Sequence, residues 1–319
     1  MTGERRLPHL DLCVADWQGW GADTRPQRGA LRVRDRLAGD GRGFTSVAIP
    51  GAPPARVEDG VVERSGMRRV IQATRETLDI ARPRTVFSVL GTCAAEIGPV
   101  GWLAEHDAAV NSSTARTPSA SSPNANATSQ LGALWLDGHA DLNAPAGSPS
   151  GRLHGMPLRT LLGDGDPAFR GFVPRPLDPS RVVLAGARDL DPAEAQFILE
   201  QQMTVIEPPQ MADPSTVVDA LKAGGVERLY VHLDLDVLDP EAMAHQLVPI
   251  TASRGVSVGE LTRVLDAVGD AFEIVGASLV EFSPQPEASE ASVEAALDVV
   301  QQIADVICPG AWAQDRPSS

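Results

Sequence analysis

Leu134-Trp135-Leu136-Asp137-Gly138-His139-Ala140-Asp141-Leu142-Asn143-Ala144-Pro145 is an apolar run that ends in acids and an imidazole at alternate positions. Side chains alternate faces along a strand, so Asp137, His139 and Asp141 leave the end of one strand on the same side. Two carboxylates and an imidazole converging this closely suit a divalent cation that accepts mixed oxygen and nitrogen ligands, Mn²⁺ rather than Mg²⁺ or Ca²⁺. Taken alone, the same residues also read as a polar loop after a strand. A second stretch separates the two readings. Leu229-Tyr230-Val231-His232-Leu233-Asp234-Leu235-Asp236-Val237-Leu238-Asp239-Pro240 is again an apolar strand, with Asp234 and Asp236 on one face. Two acids pointing the same way from a buried strand repel each other unless positive charge lies between them. Two such strand ends make a metal cluster the economical reading. Asp137, Asp141, Asp234 and Asp236 with His139 are enough to hold two cations through bridging carboxylates.

Working outward, short apolar runs at 10–15, 44–49, 85–90, 182–186 and 274–281 predict further strands. Helical periodicity runs over 64–81 and stops before Pro83, and 217–223 and 288–307 predict two more helices. Ser257, with Glu260 three residues later, forms a capping box that opens a helix running to Val268. The glycine-rich stretch 19–29 reads as a loop. Strands alternating with helices, with acids at strand ends, predict one three-layer α/β/α domain over 1–319. Its sheet is mainly parallel and its site lies at the carboxyl edge. One stretch breaks the pattern. Residues 111–130 are Ser, Thr, Asn, Ala, Gln and Pro with a single Arg and no large apolar side chain, and predict a disordered surface insertion.

A formal net charge of −15 over 319 residues argues against nucleic-acid or anionic-membrane partners, which require basic patches. Cys13, Cys93 and Cys308 make no spacing motif and no disulfide framework. No apolar segment reaches membrane-spanning length, and the charged start precedes no signal-peptide core, so a cytoplasmic protein is expected.

Asp137-x-His139-x-Asp141, Leu153-His154-Gly155, Asp234-x-Asp236 followed by Asp239-Pro240, and Glu281 in Val280-Glu281-Phe282-Ser283-Pro284 together resemble the arginase or ureohydrolase family. The order and spacing agree from about Pro83 onward. The resemblance implies an arginase-like fold, two Mn²⁺ ions and hydrolysis of a small-molecule guanidino substrate to release urea, in a homotrimer or homohexamer. It implies that a water bridging the ions attacks the guanidinium carbon, that Asp141 accepts its proton, that Glu281 pairs with the guanidinium, and that His154 delivers a proton to the departing amine. By the same resemblance Asn143 and Ser150 hold a substrate α-carboxylate, and Asp191 and Glu194 an α-ammonium group. That points to arginine or a close relative such as N-hydroxyarginine. A ureohydrolase acting on agmatine or guanidinobutyrate is the alternative, as is a metal-poor relative that binds without turnover. Asp191 before Pro192 is also a good helix N-cap, and both roles are compatible.

The chain departs from the family at Gly91-Thr92-Cys93-Ala94-Ala95-Glu96-Ile97-Gly98, where the family's first metal-binding histidine is missing. Cys93 takes that position if one glycine is deleted, and Ala94 if none is. A thiolate is softer than Mn²⁺ prefers, so the first metal site is expected to be weak or empty. The plainer reading of Cys93 is a small buried residue packing the turn. The irregular stretch 241–255 also departs from the family and carries no assignment.

Overall fold

The computed structural model describes residues 7–21, 23–49, 56–114, 128–250 and 254–308. In chain order the elements are β1 (His9–Val14), α1 (Arg25–Gly39), β2 (Phe44–Ser46), β3 (Val57–Glu58), β4 (Val61–Val62), α2 (Arg64–Ala81), β5 (Thr85–Leu90), α3 (Ile97–Thr114) and β6 (Gly132–Leu136). There follow α4 (Pro157–Leu161), β7 (Val182–Ala185), α5 (Pro192–Gln201), β8 (Thr204–Ile206), α6 (Pro214–Ala223), β9 (Arg228–Asp234), α7 (Val258–Ala271), β10 (Glu273–Val280) and α8 (Glu290–Ile307).

Strand β6 is buried at every position, as a strand covered by helices on both faces must be. It lies in an eight-stranded sheet of order β2-β1-β5-β10-β9-β6-β7-β8, with every pairing parallel. One face packs on α2, α3, α4 and α5 through Met67, Ile71, Ile97, Leu158 and Phe197. The other packs on α1, α6, α7 and α8 through Val33, Leu221, Leu265 and Leu297. Each such side chain contributes roughly 1.5–3 kcal/mol by leaving water. This is the three-layer arrangement expected from the alternation of strands and helices.

Topology then sets the position of the site. The four central strands β5, β10, β9 and β6 are neighbours although they are scattered along the chain. Leu136 stands opposite Leu233, and Val280 opposite Asp234. Asp137, Asp234 and Glu281 therefore emerge at nearly one height along the carboxyl edge, beside the turn that follows β5.

Several expected boundaries move. The predicted loop 19–29 ends early, because Pro26 occupies the first turn of α1, where its missing N–H costs nothing. Of the run 44–49 only Phe44–Ser46 forms strand, at the edge of the sheet. Helix α2 spans Arg64–Ala81 and closes on Arg82 in the left-handed conformation, φ 46°, just before Pro83. The predicted insertion 111–130 narrows from both sides. Residues 111–114 continue α3, and Ser129 is buried, its N–H donating to the Pro176 carbonyl and its hydroxyl to that of Ala104. Residues 115–127 lie outside the described residues. Among the described residues no helix is long and apolar enough to cross a membrane.

Helix α1 comes close to the segment that carries Glu281. A Cβ added at Gly29 would stand 1.5 Å from the Phe282 carbonyl oxygen, whereas one at Gly39 meets nothing within 4 Å. Gly29→Ala is expected to cost about 1–3 kcal/mol through forced backbone movement. Gly39→Ala serves as the control in thermal unfolding. Equal melting of the two variants would refute the close approach.

Candidate functional site

Asp137, Asp141, Asp234, Asp236 and Glu281 meet at the carboxyl edge, each no more than 3 % exposed. Within the β6 and β9 turns, backbone donors fix one oxygen of each of three carboxylates. His139 N–H donates to Asp137 Oδ1 at 2.7 Å, Asp236 N–H to Asp234 Oδ1 at 2.8 Å, and Gly138 N–H to Asp236 Oδ1 at 2.8 Å. Each turn thus holds its own acid, and the β6 turn also holds Asp236 of the β9 turn. Arg188, after β7, tightens the arrangement by donating from Nη2 to the Asp236 carbonyl at 2.7 Å. Asp141 and Glu281 adopt left-handed backbone, φ 56° and 61°. For a side-chain-bearing residue this costs about 1–2 kcal/mol each, a strain that concentrates at functional sites.

Three donor groups form, each with its atoms within 4.8 Å of one another: Asp137 with His139 and Asp236; Cys93 with Asp234 and Glu281; and Cys93 with Asp137, Asp141 and His232. His139 Nδ1 lies 2.8 Å from Asp236 Oδ2, yet that oxygen makes no hydrogen bond. Asp141 Oδ2 and His232 Nε2 are likewise buried and without a hydrogen-bond partner. Burial first, then the neighbouring acids, pushes Asp141 and Asp234 well above the usual carboxylate range and Asp236 up to about 6. Burial also raises Asp137, but contacts with His139 and His232 outweigh it and hold that carboxyl well below the usual range. Unpartnered lone pairs facing one another among crowded acids fit divalent cations, which would satisfy the oxygens and neutralise their repulsion.

Cys93, rather than Ala94, faces the acids. Its sulfur is 3.1 Å from Asp234 Oδ2, and its N–H donates to Glu281 Oε1 at 3.2 Å. Burial and the surrounding carboxylates raise the thiol well above its ordinary range. Cys93 therefore both packs the turn and presents its sulfur to the cluster.

A cavity of about 450 Å³ opens above the cluster, reaching His139, Asp141, Asn143, Ser150, His154, Asp191 and Glu194. His154 Nδ1 stands 3.3 Å from Glu281 Oε1. Asn143 donates to Asp191 Oδ2 at 2.8 Å and leaves its own carbonyl oxygen unpartnered. Glu194 is used differently from its neighbours. Its two oxygens accept the N–H groups of Leu142 and Asp191, both at 2.9 Å, so the helix-capping role is filled and the same bonds brace the pocket floor.

Sequence reasoning missed several contributors. Trp20 walls the cavity, meeting His154 edge-on at 4.7 Å and carrying the Arg152 guanidinium over its ring at 4.0 Å. Glu63 holds that loop by accepting the Gly19 and Gly21 N–H groups. Leu247, Val248 and Pro249 form the opposite wall from within the unassigned stretch 241–255. His232 and Glu96 lie beneath the cluster, wholly buried. The one available signal was that His232 alternates with Asp234 at the end of β9 and with Asp236 just beyond it.

The family model described as "Arginase family" matches residues 114–305. The chain is 33 % identical over 179 residues to an arginase of Staphylococcus aureus, covering 53 % of this chain and 58 % of that protein. To an arginase of Bacillus subtilis it is 32 % identical over 180 residues, 54 % of this chain and 60 % of that one. The chain thus spans little more than half the length of these relatives. In fold it is similar to the Entamoeba histolytica arginase solved with L-ornithine, with TM-score 0.74, 18 % identity, and 94 % and 99 % of the two chains covered. A Bacillus cereus arginase structure gives TM-score 0.72 at 22 % identity, covering 95 % and 99 %.

Proposed function

The chain belongs to the arginase family, and from that premise we propose that it hydrolyses the guanidino group of arginine or a close α-amino acid relative such as N-hydroxyarginine. The observation that carries this reading is the stacking of two sites. A buried acid cluster with unpartnered oxygens lies under a cavity whose walls offer Asn143, Ser150 and Asp191 to the far end of a substrate. Asp137, His139, Asp234 and Asp236 would hold one divalent cation, and Cys93, Asp137, Asp141 and Asp234 the other, Mn²⁺ by family. The assembly expected is a homotrimer or homohexamer.

Bound to these donors, the cations supply Lewis acidity that makes water acidic enough to attack near neutral pH. The protein's own groups do the rest. Glu281, buried at the end of β10, receives the guanidinium and orients its carbon. Asp141, with Oδ2 unpartnered, takes the proton of the attacking water. Addition to the guanidinium carbon is followed by cleavage of its bond to the chain nitrogen, which leaves as an amine. His154, poised beside Glu281 Oε1, hands that nitrogen a proton. Trp20 and residues 247–249 flank the cavity that receives the substrate.

The test is release of urea or hydroxyurea by Mn²⁺-loaded protein from arginine, N-hydroxyarginine, agmatine and guanidinobutyrate. An α-amino acid is expected to be preferred over agmatine by on the order of 100-fold in kcat/KM, since each charge-assisted contact is worth about 1.5–3 kcal/mol. Asp191→Ala should instead shrink the corresponding preference over guanidinobutyrate, which lacks the α-ammonium group, and chelation should abolish turnover until Mn²⁺ is returned. Faster agmatine turnover would reassign the substrate class. Metal binding with no turnover on any of the four would favour a binding relative.

A further inference from the structure

Beneath the cluster, His232 is wholly buried on β9, two residues before Asp234 and on the same face. Its Nδ1 is 2.7 Å from Glu96 Oε1. Glu96 is itself locked, accepting the Tyr230 hydroxyl at 2.7 Å and the Ser278 hydroxyl. The Trp135 indole stacks on the imidazole, centroids 3.7 Å apart and planes 15° apart, which fixes the ring's orientation. The other nitrogen, Nε2, has no hydrogen-bond partner and points among Cys93, Asp137 and Asp141.

We infer that His232 is a metal ligand, supplying through Nε2 the nitrogen that Cys93 does not, so that the deep half of the centre is a Cys93–His232–Asp137–Asp141 site for a borderline divalent cation. The inference rests on the reading of the cluster as a metal centre and alters its ligand set.

Three observations carry it. A metal-binding histidine donates its remote N–H to a carboxylate, which fixes the tautomer and frees the near nitrogen's lone pair. Glu96 is in that position and faces away from the cavity. The 3.6 Å between His232 Nε2 and Asp137 Oδ2 is too long for a hydrogen bond. It is close to the ~3.4 Å that separates two donors about 2.1 Å from one tetrahedral cation. Finally, a site of one sulfur, one nitrogen and two oxygens is softer than the outer group of Asp137, His139 and Asp236, and favours Zn²⁺ or Co²⁺ over Mn²⁺. The rival account makes His232 an imidazolium counter-ion between Glu96 and Asp137, and that account contains no nitrogen–metal bond.

Zinc K-edge X-ray absorption on protein loaded with one equivalent of Zn²⁺ decides between them. The Cys308→Ser background removes the second Cys–His–Asp group, His9, Asp11 and Cys308, at the other edge of the sheet. His139→Asn removes the outer imidazole. In the Cys308→Ser/His139→Asn protein the zinc is expected to show one sulfur at about 2.3 Å together with imidazole scattering. Adding His232→Gln should erase the imidazole signature, keep the sulfur, and weaken zinc binding by at least ~10–100-fold. Sulfur-bound zinc without imidazole scattering in the His139→Asn protein overturns the assignment, and does so even if the His232→Gln chain fails to fold. Imidazole scattering that survives His232→Gln overturns it too. If the parent protein binds no zinc, manganese or cobalt at all, the metal-centre reading itself fails and takes this inference with it. Bound metal without nitrogen defeats only the inference.

Discussion

Asp234→Asn is expected to lower urea release by more than ~100-fold, beyond the 10–100-fold typical of residues that merely support a ligand. Asparagine keeps the shape and can still accept the Asp236 N–H that Asp234 Oδ1 holds at 2.8 Å. What it loses is the charge of the oxygen facing Cys93, at the point where the donor groups of β5, β9 and β10 join. Bound metal should fall with activity. The same substitution removes one of several mutually repelling buried acids, whose carboxyl is pushed well above its usual range by burial and then by Asp236 and Glu281. The metal-free variant should therefore melt no lower than the metal-free parent, and the gain in melting temperature on adding metal should shrink. Metal analysis, urea release and paired melting curves check all three. Normal turnover with a full metal complement would dismiss Asp234 from the centre.

Glu281→Gln should separate binding of substrate from binding of metal. The amide still accepts the Cys93 N–H, so the turn after β5 stays in place. Losing one partner of a buried charge pair costs about 3–5 kcal/mol, which corresponds to a fall in kcat/KM of roughly 100- to 1000-fold or more. Metal content should stay at the parent level, because Glu281 belongs to only one of the three donor groups of the cluster. The left-handed backbone at Glu281 supports this role, since that strain would relax in a residue free to move. Activity within a few-fold of the parent would remove Glu281 from guanidinium recognition. Loss of metal alongside activity would recast it as a ligand.

The elements nearest the acids were the most legible. Runs such as 85–90 and 64–81 matched their elements end to end, because a strand buried on both faces and an amphipathic helix each carry a strong local pattern. The edge strand β2 is shorter than its pattern predicts and α1 carries no predicted helix, since half-buried ends carry weak patterns and Pro26 is equally at home in a loop and in a first helical turn. Two parts of the pocket wall were not legible. Trp20 and the 247–249 stretch lie in irregular backbone, where no periodicity says which way a side chain faces.

By itself the sequence determined that the chain alternates strands with helices, and that two of its strands end in acids too close to tolerate one another unaided. Both follow from local rules: a period of two along a strand, and the cost of burying like charges. Only the tertiary structure decided which scattered residues share one point in space. The strand order β5-β10-β9-β6 brings Cys93, Glu281, Asp234 and Asp137 to one edge from positions far apart in the chain. It chose Cys93 over Ala94, because the tight turn after β5 aims the first of these two side chains at Asp234. It also placed His232 under Cys93, backed by Glu96 from the turn after β5 and Ser278 from β10. A buried polar atom reveals its purpose through its partners, and in this chain those partners come from three different strands and the turns that follow them.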